Sequence, residues 1–135
     1  EGHLDCLRFL FDKVKPSRKT EVEAAGQAAA YGHLDILKYL VEERKISDDL
    51  KICVGNAAIY GQLDCLKYLV EEAKMPLTYC GYIAFARYRE HTECENYLLE
   101  KGCPEPTDEQ YAFVVQHMKE EKKQHVEHQQ SSTTK

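Results

Sequence analysis

The chain has 135 residues, 43% of them hydrophobic and 30% charged, with a formal net charge of −5. That length suits one compact domain or a short repeat array, and the apolar share excludes a wholly disordered chain. No run nears the roughly 18 apolar residues of a membrane span, and a pI near 5.7 argues against general nucleic-acid binding, which wants a basic surface.

The first residues, Glu1-Gly2-His3-Leu4-Asp5, carry no initiator Met and no charged-then-apolar leader. They open inside a repeat, so further sequence upstream is expected. Gly2-His3-Leu4-Asp5-Cys6-Leu7-Arg8-Phe9-Leu10 returns as Gly32-His33-Leu34-Asp35-Ile36-Leu37-Lys38-Tyr39-Leu40, and again as Gly61-Gln62-Leu63-Asp64-Cys65-Leu66-Lys67-Tyr68-Leu69. A worn fourth copy reads Glu90-His91-Thr92-Glu93-Cys94-Glu95-Asn96-Tyr97-Leu98, and the four starts are spaced by 30, 29 and 29 residues. Each copy carries two helical patterns. In copy two the second helix places Ile36, Leu37, Leu40 and Val41 on one stripe; in copy three Cys65, Leu66, Leu69 and Val70 do the same. The first helix of copy three sets Leu50, Cys53, Val54, Ala57 and Ala58 at helical spacing, with Ser47 or Asp48 as its cap. Gly32 and Gly61 stand where a helix ends in a left-handed residue. The pairs Ala28-Ala29 and Ala57-Ala58 allow close helix approach. A unit this short cannot bury both faces alone, so neighbours must stack.

Copy four breaks the pattern twice. Arg87 replaces the second Ala of the small pair, and Glu95 replaces a buried Leu. A lone buried charge costs several kcal/mol, so these two residues are expected to pair. After Cys103-Pro104-Glu105-Pro106, Thr107-Asp108-Glu109-Gln110 reads as a capping box, followed by an apolar stripe of Tyr111, Val114, Val115 and Met118. The reading is then an array over 1–106 with an incomplete first unit, a capping helix over 107–128 and a polar tail over 129–135.

The set Ala-Ala-x-x-Gly-His-Leu-Asp-x-Leu-x-x-Leu, met as Ala28-Ala29 to Leu40 and Ala57-Ala58 to Leu69, resembles the ankyrin repeat. Leu98-Leu99-Glu100-Lys101-Gly102 is similar to the ankyrin Leu-Leu-x-x-Gly ending. The resemblance spans roughly 1–103 and implies an all-α, ankyrin-like solenoid of stacked helix-turn-helix repeats with a C-terminal capping helix. The family's Thr-Pro-Leu-His opening is absent, and the period is shorter than the usual 33 residues. The missing residues fall at 12–20, 42–49 and 71–78, where the family projects hairpin fingers; plain loops are expected there.

Chemistry is sparse. No Cys-x-x-Cys, nucleophile–base constellation or phosphate-cradling Gly loop occurs. Cys6, Cys65 and Cys94 share a repeat position with Ile36, which marks a small apolar core site. Stacked helices lie about 8–10 Å apart, too far for a disulfide between equivalent cysteines. The cysteines therefore read as reduced, and the compartment as intracellular and reducing. Cys53, Cys80 and Cys103 are less constrained, and a redox role for one of them is the runner-up. His3, His33 and His91 share a position with Gln62, which suits a turn hydrogen bond and not a metal. His125 and His128 lack a third ligand. No cofactor or metal is expected.

Phe9, Tyr39, Tyr68 and Tyr97 form an aromatic ladder read as packing. A second ladder flanks the first-helix stripe: Tyr31, Tyr60 and, in the worn copy, Arg89 at the position just before the glycine, with Gln27, Asn56 and Phe85 four residues earlier. The resemblance implies that this side of the first helices lines a groove, and Tyr and Arg often anchor interfaces. The acidic set Glu42, Glu43, Glu71 and Glu72 is a further candidate surface. The expected function is non-catalytic protein binding, as a scaffold or accessory subunit with a protein partner, without nucleic acid, membrane insertion or small-molecule substrate. A repeat region flanking a catalytic domain upstream is the remaining alternative.

Overall fold

A computed structural model of the chain describes residues 2–46 and 50–133, with side chains described over 4–46 and 50–120. Within that span lie eight α-helices and no strand: α1 (Gly2–Val14), α2 (Arg18–Tyr31), α3 (Leu34–Lys38), α4 (Leu50–Ile59), α5 (Leu63–Lys67), α6 (Gly81–Tyr88), α7 (Thr92–Glu100) and α8 (Asp108–Thr133). The class is all-α, and among the described residues no helix is long and apolar enough to cross a membrane.

Local signals account for the helix ends. Ser17 caps α2, its Oγ accepting from the Thr20 N–H at 3.3 Å. The Ser47 or Asp48 cap expected for α4 lies outside the described residues. At α8 the capping box closes both ways: the Thr107 N–H donates to Gln110 Oε1 at 2.9 Å, and the Gln110 N–H donates to Thr107 Oγ1 at 3.2 Å. Gly32 and Gly61 hold φ of 75° and 69°, and the following His33 and Gln62 N–H groups donate back to Ala28 and Ala57 carbonyls. In copy four Glu90 takes the same left-handed conformation, at φ 61°.

The second helices of copies two and three end in a π-helical turn, Tyr39–Glu43 and Tyr68–Glu72. The Arg44 N–H reaches the Tyr39 carbonyl at 3.2 Å and the Ala73 N–H reaches that of Tyr68 at 3.0 Å, both five residues back. Each turn absorbs one residue more than copy four carries. The chain then leaves through a lysine with positive φ, Lys45 or Lys74, where copy four uses Gly102.

Helices contact each other in two series. α2 lies against α4, α4 against α6 and α6 against α8; α1 meets α3, α3 meets α5 and α5 meets α7. The two helices of each unit also pack together, as α2 with α3, α4 with α5 and α6 with α7. The core between the series holds Leu37, Leu40, Leu66, Leu69, Ile83 and Leu98, all fully buried. Burying each such side chain stabilises by about 2 kcal/mol relative to exposure. Ala25, Ala28, Ala29, Ala57, Ala58 and Ala86 of the first helices are all buried, and their small size lets neighbouring helices approach closely. At Gly26 a Cβ would come within 3.1 Å of Ile52 and 3.3 Å of Asn56, a tight fit that would push those α4 side chains back by a few tenths of an ångström.

The substitutions of copy four resolve as a pair. Arg87 Nε donates to Glu95 Oε2 at 2.9 Å, and its Nη2 donates to Glu105 Oε1 at 3.1 Å. The guanidinium also lies 5.8 Å from the Tyr111 ring centre of α8. These bonds, the Glu95 bond foremost, raise the Arg87 pKa and hold it charged. A second ion pair was not foreseen: Glu21, buried on α2, accepts from Arg44 Nε at 2.8 Å.

Candidate functional site

Asn56 and Ile59 of α4 and the following Tyr60 face Phe85 of α6 and the following Arg89 across a cavity of about 630 Å³. From the far side α8 contributes Phe113, Val114, His117 and Met118, and Tyr79 closes one end. A second cavity of about 490 Å³ shares Asn56, Ile59, Tyr79 and Phe85 with the first and continues to Lys51 and Ile52. Together they make one groove between α4, α6 and α8. Its rim is apolar and wet at once: Tyr60 is 51% exposed, Ile52 52%, Tyr79 47% and Phe113 66%.

Helical spacing positions these groups. Val114 and Met118 lie on the α8 stripe that packs toward α6, and the adjacent Phe113 and His117 are turned outward from it onto the groove, their rings 5.0 Å apart edge to face. Tyr79 sits in the connection before α6 and stacks edge-on with Tyr82 at 5.2 Å and with Phe85 at 6.2 Å. These contacts limit its rotation.

Of the residues that the sequence points to, Tyr60, Arg89, Asn56 and Phe85 come together around this groove. Tyr31 is 68% exposed at the end of α2, its ring 6.4 Å from that of His33, and lies outside both cavities, as does the exposed Gln27. Asn56 is already engaged: its Nδ2 donates to the Gly26 carbonyl at 2.9 Å, tying α4 to α2. Sequence reasoning missed Tyr79, Ile52 and Phe113. Tyr79 lies in a connection, which has no period to read. Phe113 did leave a signal, a large apolar residue one place off the stripe of its own helix.

The opposite series is occupied by its own neighbours. Arg8 lies 5.0 Å from the Tyr39 ring centre, Lys38 5.5 Å from that of Tyr68 and Lys67 5.9 Å from that of Tyr97, so each unit's cation caps the next unit's aromatic ring. The Tyr68 hydroxyl donates to Glu42 Oε1 at 3.1 Å, Glu43 pairs with Arg8 at 3.0 Å and Glu71 with Lys101 at 3.6 Å. Burial first, then the Glu42 carboxylate, pushes the Tyr68 phenol far up. Three of the four acids in the candidate acidic surface are thus spent on internal contacts.

All six cysteines are free; Cys53, Cys65, Cys94 and Cys103 are buried, Cys80 is half-buried and Cys6 exposed. Burial pushes the Cys53 thiol up to about 12 and those of Cys65 and Cys103 to about 11, away from the thiolate. At the shared turn position Gln62 Nε2 donates to the Ala30 carbonyl at 3.1 Å, a structural hydrogen bond. Among the described residues no group of three or more His, Cys, Asp or Glu side chains could hold a metal ion. His125 and His128 fall outside the residues whose side chains are described. No family model, no curated protein and no solved structure matches the chain.

Proposed function

We propose that the chain is a non-catalytic protein-interaction module, an ankyrin-like solenoid acting as a scaffold or accessory subunit in a reducing, intracellular compartment. The contacts of α2 with α4, α4 with α6 and α6 with α8 support the solenoid reading. One observation carries the functional reading: Tyr60, Tyr79 and Phe113 converge with Arg89 on a single open groove, whereas on the opposite series Tyr68 is engaged by Glu42 and by Lys38 over its ring. Aromatic and Arg side chains are the usual anchors of protein interfaces. A preorganised helical frame keeps the entropic cost of docking low. Buried thiols and internally paired acids leave little chemistry for catalysis.

The test is affinity capture from native extract with wild-type chain and Tyr60→Ala side by side. The expected result is a protein retained by the first and lost from the second, with equal melting temperatures. Equal retention would remove the groove from consideration. Thiol titration addresses the redox runner-up, which needs a reactive surface cysteine: uniformly slow thiols favour the scaffold, whereas a fast-reacting thiol at exposed Cys6 or half-buried Cys80 would favour redox sensing.

A further inference from the structure

Charge along the groove runs against that of the whole molecule. The chain carries 23 Asp and Glu against 18 Lys and Arg. Yet the described residues lining the two cavities include Lys51, Arg89 and His117 and not one carboxylate. Among the described residues two acids lie close by: Glu90 follows Arg89 in sequence, and Glu120 Oε2 is 3.9 Å from His117 Nδ1. Neither belongs to the lining. Asp48 and Asp49, which precede Lys51 in sequence, fall outside the described residues. Arg87, one turn from the groove, is held by Glu95 and Glu105, whereas Arg89 and Lys51 form no ion pair among the described residues. Among the described residues the guanidinium of Arg89 thus keeps its fork of donors open beside exposed aromatic faces.

From this juxtaposition we infer that the groove between α4, α6 and α8 takes an acidic, apolar peptide segment of a protein partner, with carboxylates on Arg89 and Lys51 and apolar side chains on Tyr60, Tyr79 and Phe113. The inference rests on the interaction reading above and names its partner's chemistry. A basic segment would leave Arg89 and Lys51 facing like charge, and a purely apolar one would desolvate their charges without a partner. Single-stranded nucleic acid also stacks on aromatic rings and pairs with cations. It needs a row of cations to neutralise successive phosphates, and on a chain of net charge −5 two or three do not supply it.

The experiment pans a displayed library of random dodecapeptides against the full chain. Enriched peptides are synthesised and titrated by fluorescence anisotropy against wild type, Arg89→Glu, Phe113→Ala and Tyr31→Ala, with oligothymidylate as competitor. Arg89 and Phe113 are exposed, and thermal melts check that each variant folds. The expected result is enrichment of net-negative peptides rich in aromatic or aliphatic residues. Their affinity should fall at least about tenfold in Arg89→Glu and in Phe113→Ala, and little in Tyr31→Ala. Enrichment of neutral or basic peptides, no enrichment, or displacement by oligothymidylate at matched concentration would overturn the inference. Peptides that respond to Tyr31→Ala and not to Phe113→Ala also overturn it, but leave the interaction reading standing. That broader reading fails separately, if capture from extract is indifferent to Tyr60→Ala.

Discussion

Copies three and four are built on one template and spend it differently. In copy three, Ala58 and Leu66 are fully buried between α4 and α5. Their counterparts in copy four, Arg87 and Glu95, form an ion pair whose side chains are 30% and 20% exposed. Copy three ends α4 on Gly61, with the His91 ring packed over it; copy four ends α6 on Glu90 in the same left-handed conformation. Copy three has first helices on both sides, α2 and α6, whereas copy four has α8 on its far side, reached by Arg87 over Tyr111. In copy four the charge pair lies where water reaches it and a further carboxylate, Glu105, shares the guanidinium.

The sharpest way to break this contrast is to move the charges inward. Leu66→Glu should cost at least about 4 kcal/mol and abolish a cooperative urea transition. Adding Ala58→Arg should not restore it, because that site is dry; recovery of the transition would show that position in the array is irrelevant. At the outer unit the cost is smaller. Arg87→Ala alone should cost about 1–2 kcal/mol by leaving Glu95 half-buried and unpaired, while Arg87→Ala with Glu95→Leu should return to within about 1 kcal/mol of wild type.

Titration sharpens the comparison at a position that both units keep buried, Cys53 in copy three and Tyr82 in copy four. Burial pushes both groups up, Cys53 from 9.0 to about 12. The folded thiol therefore keeps its proton where the unfolded one loses it, and its contribution is intact below pH 9 and declines as the pH rises beyond that. Urea unfolding at pH 8 and pH 10 should show about 1 kcal/mol of loss that Cys53→Ala does not share. The smallest effect is expected at the αL site. Glu90→Gly should stabilise by a few tenths to about 1 kcal/mol, read as a raised melting temperature. Gly61→Ala should do the reverse, since its Cβ would sit 2.5 Å from the His91 ring.

What was legible in the sequence was largely what the period repeated, except in copy one, where Cys6 and Phe9, at the positions of the buried Cys65 and Tyr68, are exposed instead of packed. The stripes of Leu37 and Leu40 and of Leu66 and Leu69 are buried as their spacing implies. The Arg87–Glu95 pair followed from two charges falling on apolar positions, and the α8 capping box from Thr107 and Gln110. The π-helical turns were not read, although Lys45 stands one residue further from Tyr39 than Gly102 does from Tyr97. Helical periodicity is too coarse to register one extra residue. The groove was half legible: Tyr60, Phe85 and Arg89 obey the period, but Tyr79 sits in a connection and Phe113 on a helix that repeats nothing. The cation–aromatic ladder of Arg8, Lys38 and Lys67 was equally hidden, because it pairs a residue with the following unit and not with its own.

The proposed docking face is the first-helix side at α4, α6 and α8. Amide chemical-shift mapping of the labelled chain with the captured partner tests it directly. Perturbations are expected to cluster on Asn56 to Tyr60, Phe85 to Arg89 and Phe113 to Met118; perturbations confined to α3, α5 and α7 would rule this face out.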